Sequence, residues 1–203
     1  MYVEVLLAVL VGYLLGSIPF ALVIGKVFYK KDIRNYGSKN LGGGNAGRVL
    51  GKKAGVAVMT MDILKVALAI GIASFMKYSE ITTIVAGLSA ALGHCFPLFA
   101  RFKGGKAVAT MYGFLFGMAI VTEYSILIFI LPLVVFLIIL YIGKIISVAS
   151  LGSAVFITIY MLIVDDSWWM FGALLVFTLL IAVRHRKNWA RLLRGEENKI
   201  SWM

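Results

Sequence analysis

Seven apolar runs punctuate the chain, from Val3 to Ile24, Ala54 to Met76, Ile81 to Ala100, Ala107 to Val121, Tyr124 to Ile142, Ile146 to Val164 and Trp168 to Val183. An α-helix rises about 1.5 Å per residue, so about 20 apolar residues cross the roughly 30 Å hydrocarbon layer of a bilayer. Within 203 residues, seven such segments leave no room for an appended soluble domain. They predict an all-α polytopic membrane protein with seven transmembrane helices, in one domain over residues 1–203. The composition agrees, because 14% charged residues fall well below the roughly 25% of a soluble domain. The 62% apolar content also excludes disorder, which requires low hydrophobicity.

The fourth run is short, and only Thr122 and Glu123 separate it from the fifth, so the two read alternatively as one helix kinked near Pro132. Charge placement decides between these. With seven spans, every Lys and Arg except Lys65 and Lys77 falls on one side, in segments of about 25–53, 101–106, 143–145 and 184–203. Glu4, Glu80, Glu123, Asp165 and Asp166 fall on the other. The positive-inside rule makes the basic side cytoplasmic, with the N-terminus outside and the C-terminus inside. Merging the two runs would export the basic tail. The start, Met-Tyr-Val-Glu, lacks the basic region of a signal peptide, so the first run is expected to stay in the mature protein. The single cysteine, Cys95, permits no intrachain disulfide and reads as a small core residue.

Asp62 and Lys65 stand three apart inside the second run and share a helix face. A lone charge at the bilayer centre costs about 2.5–3.5 kcal/mol on insertion scales, so both should turn toward the bundle. Two readings stay open. The pair is a structural ion pair, or Lys65 lines a polar pocket that opens to the cytoplasm.

Three clusters on the basic side carry the chemistry. The first, Gly37-Ser-Lys-Asn-Leu-Gly-Gly-Gly-Asn-Ala-Gly-Arg48, combines glycines with Ser38, Asn40, Asn45 and two bases. Glycines at positive φ can turn successive N–H groups onto one anion, so the stretch reads as an anion cradle or as a flexible basic linker against anionic lipid. Gly42 to Gly47 satisfies G-x-G-x-x-G, but no βαβ unit fits between membrane spans, and Lys53 stands where a Walker loop needs Ser or Thr. The second cluster runs from Gly93-His94 through Lys103-Gly104-Gly105-Lys106. Lys106 precedes the fourth run, where the amides and dipole of a helix N-terminus favour an anion, which makes this the best single phosphate site. His94 is a buried hydrogen-bonding residue or a polar site group. The third cluster begins Arg184-His-Arg-Lys-Asn188, where His185 and Asn188 can address one point from a helix. Taken alone, it also reads as a basic amphipathic tail on the membrane surface. Nucleic-acid binding is a poor explanation, because the bases flank helices at the lipid boundary.

These motifs resemble the bacterial PlsY-type acyl-phosphate:glycerol-3-phosphate acyltransferases, small multispanning enzymes of phospholipid synthesis. The resemblance covers nearly the whole chain. It rests on Gly16-Ser-Ile-Pro-Phe20 with Gly37 to Arg48, on Gly93-His94 to Thr110, and on His185-Arg-Lys-Asn188 to Glu196. The segment from Ser147 to Ser150 is similar to the family's serine-bearing stretch before the sixth helix. The chain departs at Gly44, where the family usually carries Thr, and at Ala107, where it usually carries Gly.

The resemblance implies transfer of an acyl group from acyl phosphate to the primary hydroxyl of glycerol 3-phosphate, at the cytoplasmic face of the inner membrane. It implies that Ser38, Asn40, Asn45 and Arg48 bind phosphate, and that His94, Lys103, Gly104, Gly105, Ser147 and Ser150 join in holding substrate. Lys106, His185 and Asn188 would be catalytic, with Lys106 neutralising a phosphate and the other two hydrogen-bonding substrate oxygens. Five residues after His94 stands Phe99 and after His185 stands Ala190, so the His-x4-Asp arrangement of another acyltransferase group is missing. With no acid near either histidine in sequence to complete a triad, no covalent acyl-enzyme is expected. A substrate phosphate oxygen or His185 takes the proton. No metal or cofactor is expected, and a monomer in membrane lipid is. The competing class is a divergent membrane anion-binding or transport protein with a cytoplasmic phosphate site, for which repeated halves and broken helices would be expected.

Overall fold

The computed structural model describes residues 2–164 and 167–200, and every regular element among them is helical. Asp165 and Asp166, two of the acids expected on the outer side, and the last three residues of the expected tail lie outside the described residues. The chain divides into two compact units, Met1–Thr122 and Glu123–Met203.

In the first unit, α1 (Tyr2–Gly16) and α2 (Phe20–Tyr29) arise from the first apolar run, which is therefore two helices rather than one. Pro19 caps α2; it lacks an N–H and biases Ile18 away from helical angles, so the ladder stops there. Helix α4 (Lys52–Phe75), 24 residues long, meets α1, α2, α3 (Gly43–Leu50), α5 (Glu80–Cys95) and α6 (Val108–Val121). Small residues let these backbones touch, as in other membrane helix pairs. A Cβ on Gly12 or Gly16 of α1 would run into the carbonyls of Ala86 or Ala90 on α5. A Cβ on Gly55 of α4 would stand 2.6 Å from the Cα of Gly47 on α3. Cys95 is buried and forms no disulfide, as expected of a small core residue.

In the second unit, α7 (Leu127–Gly143) packs on α8 (Ile146–Val164), and α8 on α9 (Trp168–Arg184). Ser153 of α8 donates to the Pro132 carbonyl of α7 at 3.0 Å, and Thr158 meets Thr178 of α9 at 2.9 Å. At His185 the chain bends by 57° into α10 (Arg186–Leu193).

All seven apolar runs are helical, but they are not seven equal spans. Among the described residues four segments are long and apolar enough to cross a membrane, namely Tyr2–Tyr29, Lys52–Phe75, Glu80–Ala100 and Ile146–Val164. The bent pair α9–α10 makes a fifth. Helices α6 and α7 are shorter, at 14 and 17 residues. At about 1.5 Å per residue α6 reaches only about 21 Å.

Candidate functional site

The first glycine-rich segment is not a chain of positive-φ turns. Within it only Gly37 and Lys39 have positive φ; Gly42 is extended and caps α3, in which Gly43 and Gly44 form the first turn. The expected cradle is thus a helix N-terminus. Ahead of it, Asp32 caps a 3-10 turn (Ile33–Asn35) and binds Arg34 at 2.6 Å. That hydrogen bond, aided by the nearby charges of Arg34 and Lys26 and opposed by partial burial, holds the Asp32 carboxyl down at about 2.

Asn45 spends its side chain on the same loop. Its amide nitrogen donates to the carbonyls of Ile33 and Tyr36 at 3.3 and 3.2 Å, and its oxygen accepts from the Ser38 backbone N–H at 2.8 Å. Gly37 lies directly against that oxygen, where a Cβ would collide. Ser38 and Arg48 are exposed, and Asn45 is buried.

The second segment is joined to the first. Asn40 Nδ2 donates to the Gly104 carbonyl at 3.2 Å, and the Gly105 N–H donates to the His94 carbonyl at 3.0 Å. Gly104 and Gly105 are glycines for closeness rather than for positive φ. A Cβ on Gly104 would strike the His94 carbonyl, and one on Gly105 the His94 imidazole at Nε2. Ala107 caps α6 in the left-handed conformation, at φ 63°. Its carbonyl accepts from the buried Thr110 hydroxyl at 2.9 Å. Lys106, half-buried, immediately precedes this cap, and Lys103 is exposed. The sequence reading thus placed Lys106 correctly at the entrance to a helix.

Beneath this segment lies a fully buried group. Lys65 Nζ stands 2.7 Å from Asp62 Oδ1, 3.0 Å from the Ile18 carbonyl and 3.1 Å from His94 Nδ1. His94 Nδ1 is 3.4 Å from Asp62 Oδ1. Lys65 is only 3% exposed in its side chain, so it does not line a pocket open to the cytoplasm. No acid stands near His94 in sequence; Asp62, on α4, meets it only in the fold.

In the second unit, His185 and Asn188 are both buried. His185 Nδ1 is 2.9 Å from the Ile181 carbonyl, which can only accept, so Nδ1 carries a proton. Asn188 Nδ2 donates to Glu197 Oε1 at 2.5 Å, Ser147 Oγ to the same oxygen at 3.3 Å, and Arg191 Nε to Oε2 at 2.8 Å. Burial raises the Glu197 carboxyl's pKa, but these three hydrogen bonds and the Arg191 charge outweigh it, and the net direction is down. Ser150 instead turns back onto its own helix, donating to the Ile146 carbonyl at 2.7 Å. The sequence gives Glu197 no role; its signal is the pair of acids Glu196 and Glu197 near the end of a basic tail, the second of them six residues beyond Arg191. Among the described residues no group of three or more His, Cys, Asp or Glu side chains is placed to hold a metal ion.

A family model described as glycerol-3-phosphate acyltransferase matches residues 6–195. Glycerol-3-phosphate acyltransferase of Listeria monocytogenes serotype 4a is 43% identical over 205 residues, covering 100% of both chains. Glycerol-3-phosphate acyltransferase 2 of Bacillus anthracis is 47% identical over 196 residues, covering 96% of this chain and 98% of the relative. The structure is similar to a crystal structure of PlsY (YgiH), an integral membrane glycerol 3-phosphate acyltransferase in its glycerol 3-phosphate form. The TM-score is 0.89 at 35% identity, over 97% of this chain and 96% of that one. The lysophosphatidic acid form of PlsY aligns with a TM-score of 0.86 at 33% identity, over 97% and 95%. By sequence over its whole length and by fold, this chain belongs to the glycerol-3-phosphate acyltransferase family.

Proposed function

We propose that this protein transfers a fatty acyl group from acyl phosphate to the primary hydroxyl of glycerol 3-phosphate, giving lysophosphatidic acid and inorganic phosphate. The observation that carries the reading is the Asn40–Gly104 bond at 3.2 Å, within a chain of this family. It ties the loop before α3 to the segment before α6, so two glycine-rich helix entrances and Lys106 serve one anionic ligand.

In the reaction the substrate hydroxyl oxygen bonds to the acyl carbon, and the bond from that carbon to the phosphate oxygen breaks. The hydroxyl proton leaves to a phosphate oxygen, directly or through His185 Nε2, so the products balance as ester and hydrogen phosphate. Ser38, Asn40, Arg48, Lys103, Gly104, Gly105 and Lys106 bind phosphate. Asn45, expected to bind phosphate itself, contributes instead by holding the Ser38 backbone. His185 and Asn188 hydrogen-bond substrate oxygens, and Ser147 supports Asn188 through Glu197. Catalysis then comes from positioning and electrostatic stabilisation without an acyl-enzyme.

The arrangement proposed is seven spans in the bacterial cytoplasmic membrane, N-terminus outside and the basic clusters in the cytoplasm, as a monomer in lipid. The charge asymmetry of the loops supports the orientation. Phosphate release by the purified protein in lipid, with glycerol 3-phosphate and either palmitoyl phosphate or palmitoyl-CoA, tests the activity. Release that requires both glycerol 3-phosphate and the acyl phosphate is expected. Turnover with the thioester alone, or none with a folded protein, would overturn it.

A further inference from the structure

We propose that Asp62 and Lys65 are positioning residues for the Gly104–Lys106 segment, acting through His94; the proposal rests on the reading that this segment holds the phosphate of glycerol 3-phosphate.

Lys65 has three donors, and its nitrogen has three acceptors at hydrogen-bond or ion-pair distance. One is Asp62 on its own helix, one the Ile18 carbonyl at the break between α1 and α2, and one His94 Nδ1 on α5. The Phe20 ring, at the start of α2, adds a fourth contact, its centroid 5.7 Å from the ammonium. The helix break is what supplies Ile18, since a carbonyl at a helix end lacks its ladder partner. Lys65 Nζ and Asp62 Oδ1 both converge on His94 Nδ1, at 3.1 and 3.4 Å, and Gly105 lies against the opposite edge of the ring at Nε2. The backbone of the same histidine accepts from the Gly105 N–H. A single buried ammonium therefore sets the ring angle and backbone position on which the segment rests.

Stability alone does not account for the group. Buried charges cost heavily in desolvation, and apolar side chains of equal volume often serve as well. Asp62 Oδ2, moreover, is buried and meets no hydrogen-bond donor among the described residues. What directional bonds add over apolar packing is a fixed orientation, and the group so oriented is His94 beneath the segment that ends at Lys106.

The test uses the full chain in lipid nanodiscs, with glycerol 3-phosphate and palmitoyl phosphate as substrates. Lys65→Met, and Asp62→Asn combined with Lys65→Met so that both buried charges are lost together, are expected to raise KM for glycerol 3-phosphate at least tenfold. KM for palmitoyl phosphate should stay within twofold, and Lys65→Arg should recover part of the loss. Cys95 gives a readout independent of turnover, because it follows His94, is buried, and its carbonyl lies against Gly104. Its alkylation should be faster in both variants than in wild type, and glycerol 3-phosphate should slow the residual reaction of the wild type. A folded double variant with wild-type KM values and an unreactive Cys95 would overturn the proposal. So would a double variant that fails to fold, since the cluster would then hold the whole unit rather than the segment. Lys106→Ala separates the underlying reading: it should raise KM for glycerol 3-phosphate while Cys95 stays protected. An unchanged KM there would sink the phosphate reading and, with it, the positioning role.

Discussion

Asn40 and Gly104, 64 residues apart in sequence, meet through a side-chain amide that donates to a backbone carbonyl at 3.2 Å. The bond joins two segments that each present backbone N–H groups and a base, and it fixes one relative to the other. Losing one such bond costs about 0.5–1.5 kcal/mol, so Asn40→Ala should raise KM for glycerol 3-phosphate by about three- to tenfold. Asn40→Asp should do worse, because a carboxylate would face a carbonyl oxygen with no donor between them. Steady-state kinetics on both variants in lipid would check the order, and an Asp variant more active than Ala would contradict it.

Ala107 is fully buried and sits at φ 63°, where an L-residue pays for its Cβ. That conformation costs roughly 1–2 kcal/mol for a residue other than glycine, against about 0.8 kcal/mol regained from one buried methyl. Ala107→Gly should therefore stabilise the protein by about 0.5 kcal/mol, with Ala107→Val destabilising it by more than about 2 kcal/mol. Thermal unfolding in detergent reads both. The resemblance marked Ala107 as a departure from a family glycine, and the backbone angle supplies the reason for that glycine.

What the sequence revealed and what it hid divide along contact distance. The apolar runs were legible because hydropathy is local, and Lys106 could be placed because its helix starts two residues later. The break at Pro19 was in plain view but was read through, since apolar residues flank it on both sides. Helix α3 was hidden for a different reason. Its glycines at 43, 44 and 47 argue for a loop by propensity, and close packing of Gly47 on Gly55 of α4 overrides that preference. Asp62 and His94 lie in different apolar runs, so no spacing rule could pair them. His185 and Asn188 were legible as helical neighbours three apart, but Glu197 reaches Asn188 only because the chain turns back after α10.

Glu197 should make the tail acid-sensitive. Its carboxyl pKa is lowered in the folded protein, so the ionised form is the one folding favours. The stability it contributes is fully present above the unfolded value, about 4.3 for a glutamate, and is lost as pH falls through the lower folded value. Glu197→Gln removes the Arg191 ion pair and should flatten this acid limb, while Glu197→Ala leaves Asn188 and Arg191 without their partner and should cost about 1–3 kcal/mol. Unfolding midpoints from pH 7 down to pH 3 for wild type and Gln would test it; parallel curves would refute the assignment.

Gly44 and Gly105 are glycines of opposite kind. A Cβ on Gly105 would collide with the His94 ring, whereas nothing stands within 4 Å of one built on Gly44. Gly105→Ala should therefore displace His94 or the segment, costing about 1–3 kcal/mol of stability, as overpacking does. It should also lower kcat/KM for glycerol 3-phosphate by more than tenfold. Gly44→Thr should be accommodated without strain and gain about 0.5 kcal/mol of helix propensity in the first turn of α3. Its hydroxyl would stand in the first turn of α3, at the helix N-terminus that the proposed phosphate site uses. A hydrogen bond to a charged group is worth about 1.5–3 kcal/mol, so KM for glycerol 3-phosphate should fall by about tenfold or more. If Gly44→Thr instead left KM unchanged in a protein whose Gly105→Ala variant is impaired, the phosphate would lie on the α6 side of the Asn40–Gly104 bond and not on α3.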